Sequence, residues 1–381
     1  MKEHVRILIV GGGYAGIYAA RMLAACGERH GVTLVDKNAY TTVFPSLPDI
    51  AGGRLAPRMA HAPLVSVLPA PVTIRNDTIR SLDLTNRTVH GERYTFEYER
   101  LIIACGSQTN FHGFSAPPST HTLDSLNAAR TLRDDFRRYL ERQGDKAHVV
   151  VSGASYTGIE LACCLRWMAE RRGAQPAITM VDPAPSYLGF LSPGQHRHAE
   201  KVVESKQIQI HNNTLIEEAT QARVSFSNGM AVDEPFLCWA AGARMTVGDI
   251  DGDVERANDG RLIVNSCLQV PGHPEVFVAG DAAAVSSGDG YLRRAVNFSI
   301  GGGACAGANC ARQSQQMPLQ RFRPLDLGWV VPLATTSVGV VFGKFPVPPP
   351  LGLHLHYLMS SYRGYTVEQR VRYAVAAVKT P

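Results

Sequence analysis

The stretch VRILIVGGGYAGIYAARMLAACGERHGVTLVD, Val5 to Asp36, decides the fold. It reads as a buried strand over Val5 to Val10, a glycine loop, a helical run from Tyr14 to Cys26, a second apolar strand over Val32 to Val35, and an acid at Asp36. That order is a βαβ unit with the dinucleotide fingerprint G-x-G-x-x-G. Gly11 permits the tight turn, Gly13 lets the backbone approach a pyrophosphate, and Gly16 lets the helix pack closely on the strand. The helix N-terminus then faces the phosphates. Asp36 lies at the fingerprint's usual distance of about 20 residues, placed to accept hydrogen bonds from a ribose diol. Removal of a secretory leader would take the run Ile7 to Val10 and destroy the loop, so the sequence predicts a cytoplasmic chain.

Working outward, the pattern recurs after Lys146. A strand over Ala147 to Ser152 precedes GASYTG at Gly153 to Gly158, then come a helix through Arg172, a strand over Ala177 to Val181, and Asp182. Two units suggest two nucleotides. The second departs from the fingerprint at Ser155, where a side chain crowds the pyrophosphate but a hydroxyl can donate to a phosphate oxygen. The alternative is a unit that keeps the fold and has lost the ligand. No Lys or Arg falls between Asp182 and His196, so a 2′-phosphate would meet a carboxylate without a cation from this loop; if a nicotinamide binds, NADH is favoured over NADPH. Two short segments, LIIACG at Leu101 to Gly106 and VFVAGDAAAV at Val276 to Val285, tie the first half of the chain to its last third.

Composition bounds the rest. At 381 residues, 45% hydrophobic and 19% charged, the chain is long enough for two or three domains and too apolar to be disordered throughout. No apolar run approaches the ~18–20 residues that span a bilayer. Eight cysteines without a C-x-x-C pair favour a reducing compartment and argue against structural zinc. A net charge of +5 is too weak and scattered to mark a nucleic-acid partner. The 35 glycines are the outlier, and their positions carry the nucleotide loops.

With these motifs in place, the chain resembles the two-dinucleotide FAD/NAD-binding flavoproteins, and among them the type II NADH dehydrogenases. The resemblance covers nearly the whole chain. It is carried most specifically by FPSLPDIAGGRLAPRMAHAPLVSVL (Phe44 to Leu68), with support from VDKNAY (Val35 to Tyr40), LIIACGSQTNF (Leu101 to Phe111), GIELA (Gly158 to Ala162) and RPLDLGWVVPLA (Arg323 to Ala334). It implies an α/β fold with two Rossmann-like domains: an FAD domain of residues 1–115 and 256–325, an NADH domain of residues 116–255 inserted in it, and a C-terminal attachment or dimerisation segment of residues 326–381. It further implies that Gly11, Gly13, Gly16, Asp36 and Lys37 hold the ADP half of FAD, that Cys105 and Gly106 end the strand beside it, and that Asp281 holds the ribityl chain. Gly153, Ser155, Gly158, Asp182 and Gly242 would hold NADH. Glu160 is expected near the nicotinamide end as the catalytic candidate; the alternative is that it caps or pairs on a helix face. On the acceptor side the family's Ala-Gln-x-Ala-x-Gln pattern is replaced by VNFSIG, Val296 to Gly301. Asn297 can stand in for one amide, and Gly301 cannot stand in for the other.

The cysteines do not repeat the dithiol of related disulfide reductases: none lies between Cys26 and Cys105, and Cys305 and Cys310 sit at a spacing that does not share a helix face. They read as structural, with a persulfide role as the alternative. His354 and His356, two apart, fall on different helix faces, and no metal is expected. After PVPPP, Leu351, Leu355, Leu358 and Tyr362, then Val367, Val371, Val375 and Val378, recur at helical spacing. Arg363, Arg370, Arg372 and Lys379 outweigh Glu368 there, so the tail suits an anionic membrane surface, the protein's own sheet or a second subunit. The expected function is an FAD-dependent NADH dehydrogenase passing electrons to a quinone at the membrane's cytoplasmic face. The alternatives are a soluble flavin oxidoreductase with another acceptor and a non-enzymatic nucleotide-binding redox sensor.

Overall fold

The computed structural model describes residues 1–28, 31–343 and 345–379, which form two compact units. The first unit comprises Met1–Thr41, Ala62–Gln108 and Ala243–Asp326. At its centre, strand Lys2–Val10 runs parallel to Val32–Asp36 on one side and to Thr95–Ile103 on the other. Thr73–Asn76 extends the sheet beyond Val32–Asp36, and His273–Val278 extends it beyond Thr95–Ile103, both parallel. Ile7, Leu8 and Ile9 are fully buried, as are Leu101, Ile102 and Ile103, so these strands read as continuous apolar runs because both faces are covered. The strand order reverses direction between Lys2–Val10 and Thr95–Ile103, the switch point where such sheets open a ligand crevice. Helix Tyr14–Ala25 packs on helix Val296–Ser314 through small residues. Any side chain at Gly303 or Gly307 would run into the backbone of Ala15 or Ala19.

The second unit comprises Thr42–His61, Thr109–Gly242 and the chain from Leu327 onward. Its parallel sheet orders Ile208–His211, Ala177–Val181, His148–Ser152 and Phe236–Trp239. A three-stranded antiparallel sheet over Ile216–Ala219, Arg223–Phe226 and Ala231–Asp233 shares a core with it, in which Phe226, Leu237 and Trp239 are buried. Helix Leu126–Gln143 is capped by Ser125 Oγ, which accepts from the Ala128 N–H at 3.0 Å.

This grouping differs from the boundaries read in the sequence. Residues 42–61 and the C-terminal segment belong with the inserted domain, and the return to the first unit comes at Ala243. The reason is packing that no local pattern encodes. Helix Leu47–Ala51 lies on helix Tyr156–Glu170 so closely that a Cβ on Gly52 would sit 2.6 Å from that of Cys164. The tail folds as hairpin Gly328–Leu333/Thr336–Val341 followed by helices Pro349–Arg363 and Val367–Lys379. Tyr373 Oη meets Ser46 Oγ at 2.6 Å, and Gln369 Nε2 donates to the carbonyls of Met59 and His61. Leu353, Tyr357, Tyr373 and Ala377 face inward. The valine row that the periodicity picks out faces the other way, with Val367 77% and Val378 83% exposed, and Leu351, Leu358 and Tyr362 are exposed on the preceding helix. Among the described residues no helix is long and apolar enough to cross a membrane.

Candidate functional site

The two glycine loops are built alike. In the first unit the Gly11 N–H donates to the Val35 carbonyl at 2.8 Å, and the Ala104 N–H donates to the Val10 carbonyl at 2.8 Å, fixing the loop at the ends of three adjacent strands. A side chain on Gly16 would collide with the Gly11 carbonyl oxygen, which is why the helix can start so close to the strand end. Asp36 closes the loop: Oδ2 accepts from the Gly12 N–H at 2.6 Å and Oδ1 from the Asn38 N–H at 2.7 Å. Burial raises its pKa against these bonds. Lys37 beside it is exposed. A Cβ on Gly13 would meet no protein atom within 4 Å, nor would one on Gly106. The chain itself leaves these two places open, one at the N-cap of helix Tyr14–Ala25 and one past the end of strand Thr95–Ile103.

Asp281 stands in the turn after strand His273–Val278 and accepts from Ser107 Oγ at 3.0 Å. Burial raises its pKa, opposed by Ser107 and by the charges of Arg294 and Arg261. The residues expected on the acceptor side open helix Val296–Ser314. Asn297 Nδ2 donates to the Leu325 carbonyl at 2.7 Å, while its buried Oδ1 has no hydrogen-bond partner. The bare face of Gly301 lies against the Phe322 ring.

In the second unit the Gly153 N–H donates to the Val181 carbonyl at 2.8 Å, and a side chain on Gly158 would collide with the Gly153 carbonyl oxygen. Asp182 Oδ2 accepts from the Ala154 N–H at 2.6 Å and Oδ1 from the Ala184 N–H at 2.9 Å. Ser155 is the exposed N-cap of helix Tyr156–Glu170, and its hydroxyl does not cap that helix. Gly242 has φ +90°, and a side chain there would strike His112 Nε2, which lies 3.0 Å from the Ala241 carbonyl. Gly242 therefore keeps the strand exit next to the Gly153 loop free of a side chain.

Glu160, one turn into that helix, is 3% exposed and lies among Asp49 of helix Leu47–Ala51, Arg54 and His356 of helix Pro349–Arg363. Arg54 Nε is 3.2 Å from Asp49 Oδ1, and its Nη1 donates to the Ala334 carbonyl. Burial and the Asp49 charge push the Glu160 carboxyl well above its usual range. Burial also works against ionisation of Asp49, but the His356 imidazole and the Arg54 guanidinium outweigh it and hold that carboxyl low. Sequence reading missed Asp49, Arg54 and His356 as a group. His356 lies roughly 300 residues beyond Asp49 and Arg54, so no spacing announces the group; the only trace is an acid and an arginine within the Phe44 to Leu68 stretch.

All eight cysteines are free thiols. Burial pushes Cys105 and Cys305 up to about 11 and Cys163 and Cys310 up to about 12. These thiols stay protonated at neutral pH, the opposite of a reactive thiolate.

Comparison with known proteins accords with this geometry. Type II NADH:quinone oxidoreductase from Staphylococcus saprophyticus is 23% identical over 370 residues, covering 90% of this chain and 91% of that protein. The Staphylococcus aureus protein of the same name is 23% identical over 375 residues, with the same coverage. Among solved structures, NDH2 from Plasmodium falciparum in complex with NADH superposes with a TM-score of 0.82 at 13% identity, over 99% of this chain and 98% of that one. Sulfide:quinone oxidoreductase from Aquifex aeolicus superposes at 0.79 and 17% identity, over 98% and 92%. These likenesses establish the two-dinucleotide fold. The family model for pyridine nucleotide-disulphide oxidoreductases matches residues 5–299, and it is to this family that the chain belongs.

Proposed function

We propose that this chain is an FAD-dependent NADH dehydrogenase that takes hydride from NADH and delivers electrons to a quinone. The observation that carries the reading is the doubled loop, each copy closed by its own aspartate, in a chain whose relatives along nine-tenths of its length are named type II NADH:quinone oxidoreductases. The residues present fit both nucleotides. The open face of Gly13 at a helix N-terminus suits a pyrophosphate, and Asp36 keeps acceptor capacity for a ribose diol beyond its two backbone bonds.

Gly11, Gly13, Gly16, Asp36 and Lys37 are assigned to the ADP half of FAD, Cys105 and Gly106 to the strand end beside it, and Asp281 to the ribityl chain. Gly153, Ser155, Gly158, Asp182 and Gly242 are assigned to NADH, and Glu160 to the nicotinamide end. Bound FAD supplies the acceptor for hydride and the donor for the second substrate. The chain's own contribution is to position the nucleotides and keep water out, since hydride transfer needs contact and alignment more than acid–base help. The carboxylate of Asp182, with no Lys or Arg before His196, favours NADH over its 2′-phosphorylated form.

The exposed apolar row of the tail, flanked by Arg370, Arg372 and Lys379, supports attachment to the cytoplasmic membrane surface; pairing of two copies through the same row is the alternative. Liposome flotation at low and high salt separates them, because only lipid binding through these cations weakens as salt rises. A second reading of the acceptor rests on the Val296 to Gly301 stretch. It lacks both family glutamines, and the amide nitrogen of Asn297 is already committed to Leu325, which favours an acceptor other than a quinone. Anaerobic addition of NADH to FAD-saturated protein is expected to bleach the flavin, and absence of bleaching overturns the dehydrogenase. NADH oxidation with and without ubiquinone then decides between the acceptors.

A further inference from the structure

We propose that Asp49, Glu160 and His356 form a binding site for one divalent first-row transition-metal ion. These side chains are 1%, 3% and 4% exposed, and they converge from helices Leu47–Ala51, Tyr156–Glu170 and Pro349–Arg363. Asp49 Oδ2 and His356 Nε2 face each other at 3.8 Å, beyond hydrogen-bond reach, and Glu160 Oε1 is likewise buried without a hydrogen-bond partner. Buried polar atoms without a hydrogen bond are rare, and three gathered in one cluster point to a missing occupant.

The donor set identifies the class of occupant. One imidazole nitrogen and two carboxylate oxygens are ligands for zinc, manganese or ferrous iron; a calcium site would draw on oxygen alone. The three ligand atoms lie within 4.8 Å of one another, with Asp49 Oδ2 and His356 Nε2 3.8 Å apart. Around an ion with bonds of about 2.0–2.2 Å, tetrahedral ligand atoms stand roughly 3.3–3.6 Å apart, so binding draws the set inward by an ångström or so. Arg54 already has the role of an outer partner. It holds Asp49 by Oδ1, which leaves Oδ2 for the ion. The rival occupant is a water molecule, which bridges polar atoms at longer range and asks for no contraction.

Such an ion is structural in effect. It fastens the tail helix to the helix that carries the Gly153 loop, inside one compact unit. The inference does not rest on the proposed NADH reaction, and its test reads metal. Protein grown with added zinc, manganese and iron salts, then freed of loose ions by dialysis, is expected to hold about one ion per chain by elemental analysis and to release it on unfolding. His356→Ala and Asp49→Asn are expected to lower that content about tenfold, with folding checked by circular dichroism. Should either fail to fold, His356→Gln and Glu160→Gln serve as the milder pair. Wild-type protein with less than about a tenth of an ion per chain overturns the proposal in favour of water, and an unchanged ion content in folded variants overturns the ligand set.

Discussion

The two glycine loops of this molecule share their backbone bonds almost atom for atom, yet their helices do different work. Gly11 and Gly153 each donate to the residue just before the following aspartate, and Asp36 and Asp182 each accept from the residue just inside the loop at 2.6 Å. Past the loops the likeness ends. Helix Tyr14–Ala25 turns alanines toward the glycines of its neighbour and buries no charge, whereas helix Tyr156–Glu170 buries Glu160 and Arg166. The loop frame is dictated by the tight strand-to-helix turn, which leaves no room for a side chain at Gly16 or Gly158. The helix behind it is dictated by what the rest of the fold lays against it, and only the second helix carries the 42–61 segment and the tail.

The largest expected effect lies at the glycine that both helices share. Gly16→Val and Gly158→Val each drive a side chain into a backbone oxygen that cannot move without undoing the turn, costing roughly 3 kcal/mol or more. The first is expected to yield protein without flavin absorbance. The second is expected to keep the flavin but bleach at least ~100-fold more slowly with NADH. If Gly158→Val bleaches at the wild-type rate, the second loop is not the NADH loop and the equivalence of the two units fails.

A smaller effect sharpens the one departure between the loops. Ser155→Ala keeps the crowding carbon and removes the hydroxyl, so the KM for NADH is expected to rise severalfold, about 1 kcal/mol for a lost hydrogen bond. An unchanged KM in Ser155→Ala, together with tighter binding in Ser155→Gly, would mean that the serine only obstructs.

The smallest effect is a pH response of the second unit. Burial lowers the pKa of His121, which stacks on Phe236 at 4.3 Å, and of His148, whose Nε2 lies 2.8 Å from Thr179 Oγ1. Between those lowered values and the unfolded value near 6.5, the folded chain binds fewer protons than the unfolded one. Their contribution is therefore whole above about pH 6.5 and lost as pH falls through the folded values. Trp239, in the core of that unit, reports it: its thermal transition should drop between about pH 7.5 and pH 5.5, and drop less in His121→Phe. A transition that does not move with pH refutes the assignment.

How much was legible in the residues follows from how local each feature is. The strands Lys2–Val10 and His148–Ser152, their glycine turns and their aspartates lie within one βαβ unit each, and the backbone can satisfy a short loop against two strands in few ways. The tail shows the limit of such patterns. Its valine row was legible as an amphipathic helix, but periodicity gives a stripe and not the direction it faces, and here the stripe faces out while Tyr373 and Gln369 hold the helix down. Asp49, Glu160 and His356 were beyond any spacing rule because each reaches the cluster from its own segment.

The α/β class, the two glycine loops and the acids that close them are legible in the residues, because a turn that admits only glycine and a strand buried on both faces leave their mark within a few dozen residues. Packing alone groups residues 42–61 and the tail with the second unit and gathers a buried acid–histidine cluster behind its loop. Those outcomes depend on which helix faces meet, and apolar contact between distant segments is non-directional and carries no local signature.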